Sequence, residues 1–250
     1  MRRISLLVLS IWLAVVTASP SWRSRITGGS DAGEGQFPYQ VSLRDLQLAH
    51  FCGGAILNSR WIITSASCVF GVNPSNLLVL TGSQSLTRGG TNHQVNRIVI
   101  HPNFSDIEND VAVVRLQTSI VLADNAFALR MASNFLEVAQ GAVLSGWGRR
   151  SLESPAFPDW LQYVSTTVIT QEDCRARYEP PYDERIVDSI LCTSYPTSQG
   201  ACLGDGGSPL VYGGELHGVV SWGTPCGNGH PDVHTRISKH RAWVLVHTMQ

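Results

Sequence analysis

The stretch Trp61-Ile62-Ile63-Thr64-Ser65-Ala66-Ser67-Cys68 opens with four aromatic or β-branched residues and then turns abruptly to small and polar ones. Such side chains lose rotamer freedom in a helix and suit a pleated surface, so the run reads as a short strand ending near Thr64. The pattern recurs outward in both directions, in Leu77-Leu78-Val79-Leu80, Val111-Ala112-Val113-Val114, Ala142-Val143-Leu144 and Leu216-His217-Gly218-Val219-Val220. Between these runs stand Gly28-Gly29, Arg88-Gly89-Gly90, Gly146-Trp147-Gly148, Glu179-Pro180-Pro181, Gly213-Gly214 and Gly227-Asn228-Gly229, at spacings typical of antiparallel barrels or sandwiches. The fold class is all-β. Only the tail, residues 238–250, looks helical, with Ser238 as its capping residue and Trp243, Leu245 and Val246 as apolar contacts. Residues 124–140 are less strand-like and read as the crossing between two halves, with a boundary near residue 130.

The N-terminus fixes the expected compartment. Met1-Arg2-Arg3 precedes an apolar run over residues 4–16 and the small residues Thr17-Ala18-Ser19, the pattern of a signal peptide cleaved after Ala18. The run falls short of the roughly 20 residues that a spanning helix needs, so a secreted, extracellular protein without a membrane anchor is expected. Six cysteines follow the signal, and in an oxidising compartment they are expected to form three disulfides; counting alone leaves fifteen pairings open. There is no Cys-x-x-Cys, and the eight histidines show no His-Glu-x-x-His spacing, so neither a metal nor another cofactor is expected. With 15% charged residues and a formal net charge of -1, the chain shows no nucleic-acid footprint. Asn103-Phe104-Ser105 is a glycosylation sequon, which suits a surface loop.

From Arg25 onward, Arg25-Ile26-Thr27-Gly28-Gly29, Cys52-Gly53-Gly54, Trp61-Ile62-Ile63-Thr64, Asn109-Asp110-Val111-Ala112, Gly146-Trp147-Gly148, Gly204-Asp205 and Val220-Ser221-Trp222-Gly223 stand in an order and spacing that resemble the trypsin/chymotrypsin (S1) family of serine proteases. The resemblance covers essentially the whole chain after the signal. It implies two perpendicular six-stranded antiparallel barrels with a cleft between them, as halves at about residues 26–130 and 131–236, followed by a C-terminal helix. It also implies an activation peptide at residues 19–25 and the disulfides Cys52–Cys68, Cys174–Cys192 and Cys202–Cys226.

In that family a serine attacks, a histidine takes its proton, and a buried aspartate orients the histidine. The histidine belongs just before the second cysteine in Thr-Ala-Ala-His-Cys, and here Ser67 stands in its place. The serine belongs in Gly-Asp-Ser-Gly-Gly-Pro, and this chain reads Gly204-Asp205-Gly206-Gly207-Ser208-Pro209, with Gly206 at that point. A serine hydroxyl cannot accept and return a proton near neutral pH as imidazole does, and glycine has no atom to attack with. Ser208 lies two residues from the required point, too far to substitute when about 1 Å of misplacement can cost roughly a hundredfold. His50 is expected to be a structural hydrogen-bonder near the cleft.

Other features of the family persist. Asp110 matches the triad carboxylate and Ser221 the serine that bonds it; a buried charge without partners costs several kcal/mol, so Ser67, Ser221 or water is expected to donate to Asp110. Arg25-Ile26 resembles an activation site for a cleaving protease, and Asp205 the carboxylate that receives the freed amino terminus. Gly204 and Gly206 resemble the oxyanion-hole positions. Gly200, Ser221, Gly223 and Asp232 occupy the specificity-pocket positions. Gly200 stands where trypsins carry aspartate and Asp232 where the family usually has glycine, an arrangement similar to that of broad-specificity collagenolytic serine proteases of crustaceans and insects. Asp232 therefore reads either as a group attracting a basic side chain or as an exposed, solvated carboxylate. The loop Thr81-Gly82-Ser83-Gln84-Ser85-Leu86 lacks the acidic ligands of a calcium site. The leading expectation is a secreted pseudoprotease that binds a protease, inhibitor or other secreted partner. Its competitors are a serine-type endopeptidase with weak residual activity and a structural or nutritive protein.

Overall fold

The computed structural model describes residues 26–106, 108–195 and 199–249, so the expected signal and activation peptides lie outside the described residues. A two-residue strand, β1 (Ser30–Asp31), leads into β2 (Gln40–Arg44), β3 (His50–Ile56), β4 (Trp61–Thr64), the short helix α1 (Ala66–Val69), β5 (Leu78–Thr81), β6 (Thr91–Ile100) and β7 (Ala112–Leu116). Strands β2 to β7 close on themselves in the order β2-β3-β4-β7-β6-β5. Each pairing is antiparallel, and alternate residues such as Val41, Leu43, Ile56, Ile62, Val79 and Val114 fill the interior.

After a linking strand β8 (Arg130–Met131) come β9 (Gly141–Gly146), β10 (Gln162–Ile169), the helix α2 (Gln171–Arg175), β11 (Ile190–Ser194), β12 (Pro209–Tyr212), β13 (Glu215–Gly223) and β14 (Asp232–Arg236). They run β9-β10-β11-β14-β13-β12, and β12 pairs back onto β9, which makes the second six-stranded antiparallel barrel. Its core holds Leu144, Val164, Val168, Leu191, Leu210 and Val220. The division at residue 130 does not extend to the start of the chain: β1 pairs with β10, and Ile26 is fully buried in the core of the second barrel. The expected disulfides are all present, Cys52–Cys68, Cys174–Cys192 and Cys202–Cys226.

The final helix α3 (Ile237–Thr248) corrects one detail of the sequence reading. Arg236, not Ser238, is the capping position, and it contributes no side-chain cap. The reason is burial. Ile237, His240, Val244 and Thr248 recur at helical spacing and are all buried, so the helix begins where Ile237 can enter the seam between barrels, and Ser238 falls inside the first turn. That seam also holds Trp61, Trp147 and Leu161.

Ser208 lies in the same seam. A Cβ added to Gly53 of β3 would meet its Oγ at 2.0 Å, and one added to Gly146 of β9 would meet it at 2.9 Å, so the hydroxyl is wedged between glycines of the two barrels. It is fully buried, and its Oγ has no hydrogen-bond partner among the described residues. A buried unsatisfied hydroxyl costs about 1–3 kcal/mol. Ser208→Ala is therefore expected to raise the free energy of unfolding by about 1 kcal/mol, read as a higher denaturation midpoint with an unchanged slope.

Candidate functional site

Asp110 sits where the β6–β7 loop enters β7. Asn109 just before it adopts a positive φ of 52°, a conformation that asparagine tolerates better than most residues, and its Oδ1 lies 3.2 Å from His240 Nε2 on α3. The turn delivers the Asp110 carboxylate to the start of α1. The Ser67 backbone N–H, one of the donors that a first helical turn leaves unused, reaches Asp110 Oδ1 at 2.7 Å. The Ser67 hydroxyl donates to Oδ2 at 2.9 Å, and Ser221 Oγ donates to the same oxygen at 2.7 Å. Asp110 thus faces donors, as expected, rather than an apolar void. Burial still pushes its carboxyl above the usual range, because desolvation outweighs the bonds from Ser67, Ser221 and the Ala66 amide.

Ser65 adds a hydroxyl that the sequence reading passed over. Its Oγ lies 3.1 Å from Ser67 Oγ. Ser67 is the donor in this contact as well, and its single proton serves either Asp110 or Ser65, the carboxylate being the nearer and stronger acceptor. The motif that carries Ser67 also carries Ser65, and the spare polar side chain there was the available signal.

Gly206 faces this cluster across the Cys52–Cys68 disulfide. A Cβ at Gly206 would lie 3.1 Å from Cys68 Sγ, 3.4 Å from Cys52 Sγ and 4.0 Å from Ser65 Oγ. Gly204 is held from behind: His50 Nε2 lies 3.1 Å from its carbonyl oxygen, while His50 Nδ1 lies 2.8 Å from Ser42 Oγ. Burial pushes His50 down to about 4, so its ring is neutral, hydrogen-bonded and committed to the scaffold.

A cleft of about 320 Å³ joins these groups, running from Ser67 and Gly206 past Ser221 and Gly223 to Asp232. Asp232 is only 3% exposed, which overturns the reading of it as a solvated surface carboxylate. One oxygen accepts from the Ala201 amide at 2.6 Å, the partly buried Tyr195 is its neighbour, and a Cβ on Gly200 would lie 3.4 Å away. Burial raises Asp232 to about 6. Asp205 is fully buried beneath the cleft, accepting from Gly148 at 2.8 Å and Cys202 at 3.0 Å, and burial raises it to about 7. Ser208 shares no part of the cleft, and Asn103 lies exposed in the β6–β7 loop. Among the described residues no group of three or more His, Cys, Asp or Glu side chains is arranged to hold a metal, and no helix is long and apolar enough to cross a membrane.

The comparisons with known proteins agree with this architecture. The family model described as Trypsin matches residues 26–244. Trypsin delta of Drosophila erecta is 36% identical over 229 residues, covering 90% of this chain and 89% of that protein. Chymotrypsin-2 of Vespa crabro is 33% identical over 222 residues, covering 88% of this chain and 98% of its own length. Among solved structures, neuropsin, a serine protease expressed in the limbic system of mouse brain, superposes with a TM-score of 0.81 at 29% identity, over 89% of this chain and 99% of its own. Two closed barrels, an inter-barrel cleft with Asp110 at its back, and sequence similarity over nearly the whole described chain lead to one conclusion: this protein belongs to the trypsin family of serine proteases.

Proposed function

We propose that this chain is a secreted, non-catalytic member of its family that binds a protein or peptide partner through the inter-barrel cleft. The observation that carries this reading is the pairing of Ser67 with Gly206. The hydroxyl of Ser67 is engaged as a donor to Asp110, and Gly206 presents no side chain to the cleft. Proton acceptor and nucleophile are both missing, while the walls of the pocket stand. Three disulfides and the signal-like N-terminus support secretion.

The pocket itself favours a basic side chain on the partner. Asp232 at about 6 is ionised at neutral pH, is nearly sealed from water, and has an amide and a phenol beside it but no cation in the pocket lining. A guanidinium or amidine entering the cleft supplies the missing charge. Cleavage after Arg25 by another protease would free Ile26 beside this pocket and order it.

The test uses the chain cleaved after Arg25, the fluorescent arylamidine p-aminobenzamidine and a serine-directed fluorophosphonate. Saturable arylamidine binding is expected, weakening as pH falls through about 6 because only the ionised Asp232 attracts the ligand. Asp232→Asn should lose about tenfold or more in affinity. Neither covalent labelling nor turnover of a broad peptide library is expected. Labelling of a cleft serine would overturn the non-catalytic reading in favour of a residual serine-type endopeptidase, for which the retained Gly204 and Gly206 backbone is the one supporting feature.

A further inference from the structure

Away from the cleft, the outer face of the first barrel carries two arginines that make no ion pair among the described residues. The register sets Arg97 of β6 directly opposite Arg115 of β7, and Val99 opposite Val113 next along the same face. Val99 and Val113 pack in the seam with Trp243 of α3, so strand alternation places both arginines on the face that α3 flanks. The ion pairs among the described residues are Arg88–Asp159, Arg130–Glu215, Arg185–Asp106 and Lys239–Asp188, and none of them involves Arg97 or Arg115. Arg115 Nε is buried with no hydrogen-bond partner among those residues. Imidazoles crowd the same flank: the His101 ring lies 5.0 Å from Trp243 and 5.3 Å from His240, and His247 lies 4.8 Å from Trp243.

Like charges directly opposed across a ladder destabilise a sheet, and an unsatisfied buried guanidinium nitrogen adds to that cost. Both penalties disappear when an oxyanion bridges the pair. Arginine's planar fork suits sulfate or phosphate bidentately, and the chain depends on it almost entirely, since Lys239 is its single lysine. An overall charge of -1 gives no general attraction for polyanions, so attraction here is local.

We propose that this face binds a sulfated polysaccharide, with sulfates bridging Arg97 and Arg115 and the sugar chain running along α3 past Trp243 and His247. The choice of an extracellular polymer rests on the secreted reading. The binding itself needs neither the cleft nor cleavage after Arg25, so its failure and that of the cleft reading are separate results.

The test measures binding of a defined heparin fragment to the purified mature chain by calorimetry at about 0.1 M salt, close to one Debye length of 10 Å. Arg97→Gln with Arg115→Gln should weaken binding by about tenfold or more. Arg177→Gln with Arg185→Gln removes the same charge from the second barrel and should change it less than about twofold. Equal losses in the two pairs, no heparin binding, or equally tight binding to unsulfated hyaluronan or to phosphatidylserine vesicles would each overturn the proposal. The melting temperature of the first pair should stay level or rise, since a repulsion is relieved; a fall would assign the arginines to the fold and sink the idea. Arg97→Glu, at an exposed position, gives a second reading that leaves Arg115 in place.

Discussion

Ser67→His together with Gly206→Ser, in chain cleaved after Arg25, is expected to hydrolyse an arginine ester at least about 10³-fold faster than the parent, with either change alone giving less than about tenfold. The scaffold is prepared for the histidine. The backbone of residue 67 is pinned to Asp110 Oδ1 at 2.7 Å, and the oxygen that now accepts from the Ser67 hydroxyl is free to accept from an imidazole N–H. The serine is the harder restoration. Its Cβ would begin 3.1 Å from Cys68 Sγ, so the Cys52–Cys68 bridge must yield by a few tenths of an ångström before the hydroxyl reaches its working position. Each single reversion fails for a different reason, since one lacks an attacking atom and the other an acceptor, and residues acting as a unit are not additive. kcat/KM for the four combinations is the measurement. A double variant no faster than either single one would mean that the cleft is displaced beyond the two substituted positions.

Cleavage after Arg25 is expected to make stability respond to pH in a way that the uncleaved chain does not. In the uncleaved chain Asp205 is buried, has no ion pair among the described residues, and is held at about 7, above the ordinary 3.8 of an unfolded aspartate. Between those values the folded state binds the extra proton, so stability is full below about pH 4 and is lost as pH rises to about 7, by about 1.4 kcal/mol per unit. A freed Ile26 ammonium paired with Asp205 reverses the sign, favouring the ionised carboxylate. The stability gap between cleaved and uncleaved chain should therefore widen by about 3 kcal/mol from pH 5 to pH 7 and then level off. Taking the difference matters, because His50 at about 4 and His234 at about 3 are also neutral when folded. They lower stability as pH falls below about 6.5 in both forms and cancel in the comparison. Denaturant titrations at three pH values decide it, and a gap independent of pH would show that Ile26 never reaches Asp205.

Much of the site could be read directly from the chain because covalent neighbours fix it. Ser67 abuts Cys68, Gly206 follows Asp205, and the motifs around them keep their length, so the residues that stand at these two points could be read without coordinates. The strand runs were equally plain, since Trp61-Ile62-Ile63-Thr64 and Val111-Ala112-Val113-Val114 carry their own periodicity. What stayed hidden depends on contacts across long sequence distances. The burial of Asp232 comes from Ala201 and Tyr195 folding over it, the confinement of Ser208 needs glycines from both barrels, and the opposition of Arg97 and Arg115 exists only through the β6–β7 register. The start of α3 was misplaced because Ile237 is drawn inward, a tertiary effect that outranks the capping tendency of Ser238.

Asp110 has a mechanical meaning that does not depend on catalysis. It takes bonds from Ser67 in the first barrel and from Ser221 in the second, while its carbonyl oxygen accepts from Thr235 of β14 at 2.7 Å. One residue of the first barrel is therefore riveted to the second at the back of the cleft, and any rocking that widened the jaws would have to break the Ser221 and Thr235 bonds together. A partner arriving at such a gap meets a shape already set, and little of its binding energy is spent on stiffening the receptor.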